Sequence, residues 1–277
     1  MLKNIGLLIR TYNAGEDYET LKRVFTKEGI HTFDTLPAAA GGILSPENTF
    51  FFTDVRETAD EISRAGYGFA VYENENSRKE AFPDALYLVD AFSDLEIFRI
   101  DRMLSRFLEK PWEILTTERC RVREMTLDDV DPLYEIYHSS SFMDNGESLY
   151  PDPDEEKRYT VDYIKHQYRF FEYGIWIVED KETGKIIGRA GFANREGYED
   201  PELGYGFAES ARHKGIATEV CTAILAYGKK EFGFSKVNAF SLPENTDSIR
   251  LLDRLGFACI RDADLSGTKH KMYQKEL

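Results

Sequence analysis

The stretch ESARHKGIATEV, residues 209–220, lies where an apolar strand gives way to a helix. ELGYGFA precedes it with the composition of a strand, and apolar side chains recur at helical spacing over residues 215–232. The first four amides of a helix have no partner within it, and the helix dipole adds positive partial charge there, so such an end binds phosphate oxygens. Basic side chains at 212–214 precede a glycine at 215, which has no Cβ to block a bulky anion. The stretch predicts a phosphate-binding turn.

The composition of the whole chain sets this basic turn apart. The chain has 277 residues and a formal net charge of −15, which argues against nucleic acid or an anionic membrane as a partner. No apolar run reaches the roughly 18 residues that span a bilayer, and the opening MLKNIGLLIRTYN predicts a first strand and not a signal peptide. Three cysteines and five histidines are scattered, without disulfide or metal-ligand spacing. We therefore expect a cytoplasmic protein without a metal.

Two nucleotide-binding motifs fail on their residues. GYGFAE carries Glu209 where the dinucleotide fingerprint needs its third glycine. HKGIATEV lacks the Gly-Lys-Ser/Thr ending of a triphosphate-binding loop. The predicted phosphate therefore belongs to another kind of ligand.

RHKGIAT instead resembles the Arg/Gln-x-x-Gly-x-Gly/Ala loop with which the GNAT acetyltransferases hold the pyrophosphate of acetyl-CoA. Arg212, Gly215 and Ala217 fill its three defining positions. PELGYGFAES and PENTDSIRLLDRLGF are similar to the branch of that family that includes the ribosomal-protein N-terminal acetyltransferases. The resemblance covers residues 118–277, where the predicted elements follow the order β-α-α-β-β-β-α-β-α-β-β. Three segments in this order make the resemblance specific.

The resemblance implies an α/β fold, a mixed sheet flanked by helices, which splays after the ELGYGFA strand and takes acetyl-CoA as cosubstrate in the opening. It implies main-chain pairing of Phe207 and Ala208 with the pantetheine arm. At the family's Asn-x-x-Ser positions it implies that Asn245 contacts the cofactor and that Ser248 protonates the leaving thiolate, although Asn245 is equally suited to cap a helix. The residues implied to hold the pyrophosphate are Arg212, His213, Lys214, Gly215, Ile216, Ala217 and Thr218.

The reaction also needs a proton acceptor. A lysine-like amine has a pKa of about 10.4, so near neutral pH it must lose a proton at a cost of about 4 kcal/mol before it attacks. A carboxylate near the cleft can take that proton, directly or through a water. Glu202, at the start of the splayed strand, is the predicted base. Glu124 on the first strand of this half, and a water relay without one essential carboxylate, remain as alternatives.

Residues 1–110 alternate strand and helix patterns, which predicts a smaller Rossmann-like α/β domain with a mostly parallel sheet. It ends before Pro111, since proline cannot continue a helix, and a second domain is expected over residues 118–277. NTFFFTDVRETADEISRAG resembles the strand-Thr-helix segment of haloacid-dehalogenase-like folds, with Thr53 closing the strand. That family needs an Asp-x-Asp pair after its first strand, where IRTYN has no Asp, so phosphatase chemistry is expected to be lost. Regulation, substrate selection or dimerisation, as in a homodimer, remain as roles for this domain.

The motifs favour an N-acetyltransferase that moves an acetyl group from acetyl-CoA to the primary amine of a small molecule or a peptide. A non-catalytic acyl-CoA sensor with the first domain as its output module is the alternative, and a phosphatase run by that domain is a third. The acceptor is expected near the acidic loop ANREGYEDPE, which contains Glu196, Glu199, Asp200 and Glu202. Such clusters are more often solvated surface than cation sites, so the acceptor stays open. The aromatic residues predicted to line the cleft are Phe142, Tyr150 and Tyr198.

Overall fold

The computed structural model describes residues 1–36, 44–93, 95–138 and 149–277. The chain forms two compact units, Met1–Trp112 and Glu113–Leu277. Trp112 closes the first unit, because its indole donates to the Arg102 carbonyl at 2.9 Å and its ring lies 4.1 Å from the Arg106 guanidinium. The boundary therefore falls inside the segment that the sequence analysis left between its two predicted domains.

The first unit is a parallel sheet with helices. Its strands are β1 (Asn4–Leu8), β2 (His31–Phe33), β3 (Thr49–Thr53), β4 (Gly68–Tyr72) and β5 (Leu88–Val89), and its helices are α1 (Tyr18–Lys27), α2 (Arg56–Arg64) and α3 (Ile97–Phe107). The strands lie in the order β2-β1-β3-β4-β5, and each neighbouring pair is parallel. The sequence pattern does not predict β2, because a strand of three residues is too short to show alternation.

Successive side chains of β3 point to opposite faces of the sheet and belong to two separate hydrophobic cores. Phe50 and Phe52 pack on one face of the sheet with apolar residues of α1 and α3, such as Phe25 and Ile100. Phe51 points to the other face and packs with α2. Helices therefore cover both faces, as alternating strand and helix segments require.

Asp54 ties together the carboxyl ends of three strands, the edge at which open parallel sheets commonly bind ligands. Its carboxylate accepts hydrogen bonds from the N–H groups of Arg10 (2.8 Å) and Thr11 (3.2 Å) after β1, and from the Asn74 amide (2.8 Å) after β4. Burial pushes the pKa of Asp54 upward, but these hydrogen bonds outweigh it and hold that pKa below its usual value. The Thr53 hydroxyl accepts from the N–H two residues later at 3.1 Å. Asp54 thus links the segments that follow β1 and β4 to the end of β3.

The second unit is built on an eight-stranded mixed sheet. Its strands are β6 (Glu113–Thr116), β7 (Cys120–Arg123), β8 (Ile175–Asp180), β9 (Ile186–Ala193), β10 (Glu202–Phe207), β11 (Lys236–Ser241), β12 (Ala258–Leu265) and β13 (Thr268–Glu276). Its helices are α4 (Val130–His138), α5 (Pro153–Tyr163), α6 (Arg169–Phe171), α7 (Ile216–Phe232) and α8 (Thr246–Leu255), and a π-helical turn joins α5 to α6. The spatial order of the strands is β12-β13-β11-β10-β9-β8-β7-β6. From β7 onward the chain follows the predicted order of elements, and β6 is an additional strand that pairs with β7. None of the described helices is both long and apolar enough to cross a membrane.

The parallel strands β10 and β11 separate almost at once. Within the described residues they share one register pair, Glu202↔Asn238, and the Asn238 N–H donates to the Pro201 carbonyl at 2.8 Å. On their outer sides, β10 stays paired with β9 and β11 with β13 along their whole lengths. The sheet therefore opens between β10 and β11 toward their carboxyl ends, as the family resemblance implies.

Candidate active site

The opening between β10 and β11 presents main-chain groups of β10 to a ligand. The Ala208 N–H donates to the Ile187 carbonyl at 2.8 Å and so points toward β9. Backbone groups alternate in direction along a strand, so Phe207 and Tyr205 turn theirs toward the opening. The Ala208 N–H is therefore already bonded within the sheet, and the N–H groups that face the opening are those of Tyr205 and Phe207.

The phosphate loop, defined as residues 212–218, has the backbone of an anion-binding turn. His213 (φ 58°) and Gly215 (φ 75°) adopt left-handed conformations on either side of Lys214, and turns of this kind gather successive N–H groups on one side. The 17-residue helix α7 begins directly afterwards at Ile216. Its unpaired first amides and its dipole therefore add to the same positive potential.

The side chains of the phosphate loop divide by exposure. His213 and Lys214 are exposed and Arg212 is half-buried, so these three cationic or potentially cationic groups surround the turn. Ile216 is buried at 6% exposure, so it offers its main-chain amide and not its side chain. Ala217 and Thr218 are half-buried in the first turn of α7. An anion at the loop would thus meet main-chain N–H groups first and side-chain charge at the rim.

A hydrogen bond across the opening joins β10 to α8, the helix that follows β11. Asn245 accepts from the Ser248 N–H at 3.1 Å through Oδ1, which caps α8 and leaves its NH₂ group outside that bond. The Ser248 hydroxyl lies 2.9 Å from the hydroxyl of Tyr205. Tyr205 belongs to β10 and Ser248 to α8, so the pair bridges the strand and the helix that follow different sides of the splay.

Tyr205 is not predicted as a site residue from the sequence, although it lies in the ELGYGFA segment. Its contact joins residues 43 positions apart, and no local pattern marks such a pair. The available signal was strand alternation, which separates Tyr205 from both neighbours and turns its side chain to one face.

Glu202 lies at the start of β10, where the two strands still pair. Its side chain is 8% exposed, and both its oxygens accept hydrogen bonds from Arg195, with Nη2 to Oε1 at 3.0 Å. The Arg195 guanidinium also lies over the ring of Phe240, 5.0 Å from its centroid. The predicted base is therefore held by an ion pair that the sequence does not reveal. The alternative, Glu124, directly follows β7 and is 1% exposed.

Two residues of the acidic loop after β9 make contacts within the second unit that the sequence does not reveal. The Asp200 carboxylate accepts from the Gln274 amide at 3.2 Å, and Tyr198 packs edge-on against an aromatic ring of β11. Glu196 and Glu199 are exposed. One carboxylate of the loop is therefore used in a contact within the second unit, and two others face solvent.

The remaining predictions concern the aromatic residues expected to line the cleft and the possibility of a metal site. Tyr150 is 41% exposed and its ring lies 5.6 Å from that of Tyr159, whereas Phe142 lies outside the described residues. Over the described ranges, no three His, Cys, Asp or Glu side chains come together as ligands for a metal ion.

A family model described as an acetyltransferase (GNAT) domain matches residues 119–258. The match begins beside β7 and ends at the start of β12, so it contains the splay, the phosphate loop and the Asn245–Ser248 pair. It therefore covers every element from which the opening is built.

Relatives and solved structures agree with this match. The chain is 33% identical over 147 residues to an uncharacterised protein, YkkB, of Bacillus subtilis, which covers 51% of this chain and 83% of that one. It is 29% identical over 152 residues to the [ribosomal protein uS5]-alanine N-acetyltransferase of Escherichia coli, covering 52% and 77%. A solved ribosomal L7/L12 alpha-N-protein acetyltransferase, RimL, in complex with coenzyme A superposes with a TM-score of 0.52 at 14% identity, over 60% of this chain and 98% of that one. The last similarity shows the fold.

Gly215 provides a test of the phosphate loop. We expect Gly215→Glu to abolish coenzyme A binding, measured by calorimetry, because it places bulk and a negative charge beside the pyrophosphate. Gly233→Glu is the matched control, since Gly233 also has a positive φ, 67°, and lies at the opposite end of α7. A Cβ at Gly233 has no described atom within 4 Å, whereas a Cβ at Gly215 would lie 3.7 Å from Arg119 Nη2. Both variants carry a left-handed non-glycine residue, at roughly 1–2 kcal/mol. Unchanged affinity in Gly215→Glu would remove the loop from the site.

Proposed function

The chain belongs to the acetyltransferase (GNAT) family and is an acetyl-CoA-dependent N-acetyltransferase, and we propose that it transfers the acetyl group to a primary amine by direct attack on the thioester. In this reaction the amine nitrogen bonds to the acetyl carbon, the carbon–sulfur bond breaks, the nitrogen loses a proton and the thiolate gains one. No acyl-enzyme intermediate is required, because the amine and the thioester meet in one cleft.

The splay of β10 and β11 is the observation that carries the proposal. It leaves the main chain of β10 facing an opening beyond the pair Glu202↔Asn238. An extended arm that contains amide groups can pair with Tyr205 and Phe207 as an added strand would. The phosphate loop begins just past the end of β10, so the same cosubstrate would meet both features in turn.

The residues of the phosphate loop fit the pyrophosphate of acetyl-CoA. The main-chain N–H groups from His213 to Thr218 would hold its oxygens, with Arg212 and Lys214 as charges at the rim. The Asn245 NH₂ group, which is not used in capping α8, would contact the cosubstrate from the β11 side of the opening. Acetyl-CoA supplies the activated acyl group, and all binding and proton transfer fall to these residues and to those near the amine.

Glu202 is the proton acceptor in our proposal. The Arg195 ion pair fixes its carboxylate at the point where β10 and β11 part, and each oxygen keeps a lone pair for a water or an amine. The demand on this group depends on the acceptor. A lysine-like amine must shed its proton at about 4 kcal/mol near neutral pH, whereas an α-amine with a pKa near 8 needs only about 1 kcal/mol.

Ser248 and Tyr205 are the proton donors to the leaving thiolate in our proposal. An alkyl hydroxyl is a weak acid by itself, and a phenol 2.9 Å away can replace the proton that Ser248 gives up. The Tyr205–Ser248 pair would therefore act as a two-step relay from β10 through α8.

A peptide α-amine is the first acceptor class to test. One relative is named for acetylating an alanine of ribosomal protein uS5. Of the carboxylates in the acidic loop, Asp200 accepts from Gln274 and Glu202 is paired with Arg195, which favours this acceptor over a polyamine. The acceptor would then be an N-terminal amine presented by an extended chain.

Thiol release from acetyl-CoA tests the proposed function. We expect the full chain to release coenzyme A with at least one member of a panel that contains an Ala-initiated peptide, an internal-lysine peptide and a polyamine. Gly215→Glu serves as the binding-deficient control. Tight binding of acetyl-CoA without turnover on any amine would favour the acyl-CoA sensor instead.

Glu202→Gln tests the base. We expect kcat to fall by about 10²–10⁴-fold, the usual weight of general base catalysis, with little change in acetyl-CoA affinity and with loss of the acid limb of the pH–rate profile. Arg195→Met is the matched control, because it breaks the same ion pair from the other side and leaves the carboxylate in place. Equal losses of rate and of melting temperature in both variants would make the pair structural. A near-normal rate and an unmoved acid limb in Glu202→Gln would transfer the role to Glu124 or to a water relay.

Tyr205→Phe tests the relay. We expect it and Ser248→Ala to lower kcat to a similar extent and the double variant to be no worse than either, since groups that act as one unit are not additive. An acetyl donor whose leaving group is a thiol of lower pKa should recover part of the lost rate. Additive losses, or no recovery with that donor, would show that the two hydroxyls do not share a proton path.

A further inference from the structure

Arg119 contacts the phosphate loop from a distant part of the chain. It lies in the turn between β6 and β7, and its Nη1 donates to the Lys214 carbonyl at 2.8 Å. Its Nε and its main-chain N–H donate to the two oxygens of Glu219 at 2.7 and 2.9 Å, and its Nη2 lies 2.6 Å from Glu219 Oε2. One side chain therefore holds a carbonyl inside the loop and a carboxylate in the first turn of α7.

The loop has a backbone that benefits from such a restraint. His213 is not glycine, so its left-handed conformation carries a strain that a glycine would not have. Lys214 lies between this residue and left-handed Gly215, so its peptide groups have to keep their amides toward the ligand and their carbonyls away. A carbonyl oxygen turned toward a phosphate would repel it. The bond from Arg119 fixes the direction of the Lys214 carbonyl.

The charge of Glu219 poses a second requirement. A carboxylate in the first turn of a helix is stabilised by the dipole, but here it stands next to the place where a diphosphate binds. Burial pushes the pKa of Glu219 upward, yet hydrogen bonds from Thr117 and Arg119 outweigh it and hold that pKa below its usual value. Glu219 therefore stays ionised at neutral pH, and pairing with Arg119 is what offsets its charge.

We propose that Arg119 is a positioning residue for acetyl-CoA, which keeps the phosphate loop in its binding conformation by holding the Lys214 carbonyl and which offsets the charge of Glu219 beside the pyrophosphate. The inference rests on the proposed function and deepens it. It assigns the β6–β7 turn to the cosubstrate site, although this turn lies 95 residues away from Lys214 in the sequence.

Arg119→Met tests the proposal with two acetyl donors. We expect the KM for acetyl-CoA and the calorimetric Kd for coenzyme A to rise about 10- to 100-fold, the range spanned by hydrogen bonds to a charged group. We expect kcat at saturation to stay within about twofold of wild type. The KM for S-acetylpantetheine, which has no pyrophosphate, should not change. A merely structural role would affect both donors alike.

Three further variants sharpen the result. Arg121→Met is the matched control, since Arg121 lies on β7 two residues away and pairs with Glu113 and Glu179. Glu219→Gln keeps the bond to Lys214 and should weaken binding less than Arg119→Met. The double variant Arg119→Met/Glu219→Gln should recover part of the affinity, because it also removes the unpaired carboxylate. Glu219→Gln and a pantetheine comparison keep the test informative if Arg119→Met does not fold.

Two results would overturn the proposal. One is wild-type affinity for coenzyme A in Arg119→Met, and the other is an equal rise in KM for both acetyl donors. Either result leaves the proposed function intact, because wild-type turnover is measured in the same experiment. A wild-type chain that does not bind coenzyme A would instead defeat the proposed function and this inference together.

Discussion

The separation of two parallel strands is the constraint on which the second unit depends. Every backbone N–H and C=O in a folded chain needs a partner, and a sheet normally supplies it from the neighbouring strand. Beyond the pair Glu202↔Asn238, β10 and β11 share no further register pair within the described residues. Each strand stays paired with its outer neighbour, β10 with β9 and β11 with β13. The main-chain groups that face the gap therefore need a bound ligand or water to complete their hydrogen bonds.

The carboxyl ends of the separated strands also determine where charge accumulates. Each strand passes into a helix, β10 into α7 and β11 into α8, and both helices begin past the open end of the gap. Their first amides carry positive partial charge. A chain with a net charge of −15 can thus bind a polyanion, because the attraction arises from oriented peptide groups within a few ångströms. The overall charge acts over longer distances and is screened by salt.

Local patterns predicted the elements and the loop, and long-range contacts limited the rest. The phosphate loop and the strand-helix order were accessible because glycine placement, apolar periodicity and the ELGYGFA and RHKGIAT segments are contiguous. Three-residue β2 and four-residue β6 were missed, since short strands show too little alternation. The Ala208 N–H points to β9, and this direction depends on the register between the two strands, which no local pattern reveals. The roles of Arg119, Arg195 and Tyr205 depend on contacts that only the folded chain makes, with Lys214, Glu202 and Ser248 respectively.

The gap between β10 and β11 is a sheet edge that lies inside a sheet. Edge strands are hazardous because they pair with strands of other molecules, and proteins normally shorten, charge or cover them. This edge has a strand facing it across the gap, and α7 packs against β10. The unpaired groups of β10 therefore lie between two strands of one sheet and not along its outer edge. The splay thus leaves main-chain groups available to an extended amide-bearing chain without placing them at the outer edge of the sheet, where strands of other molecules commonly pair.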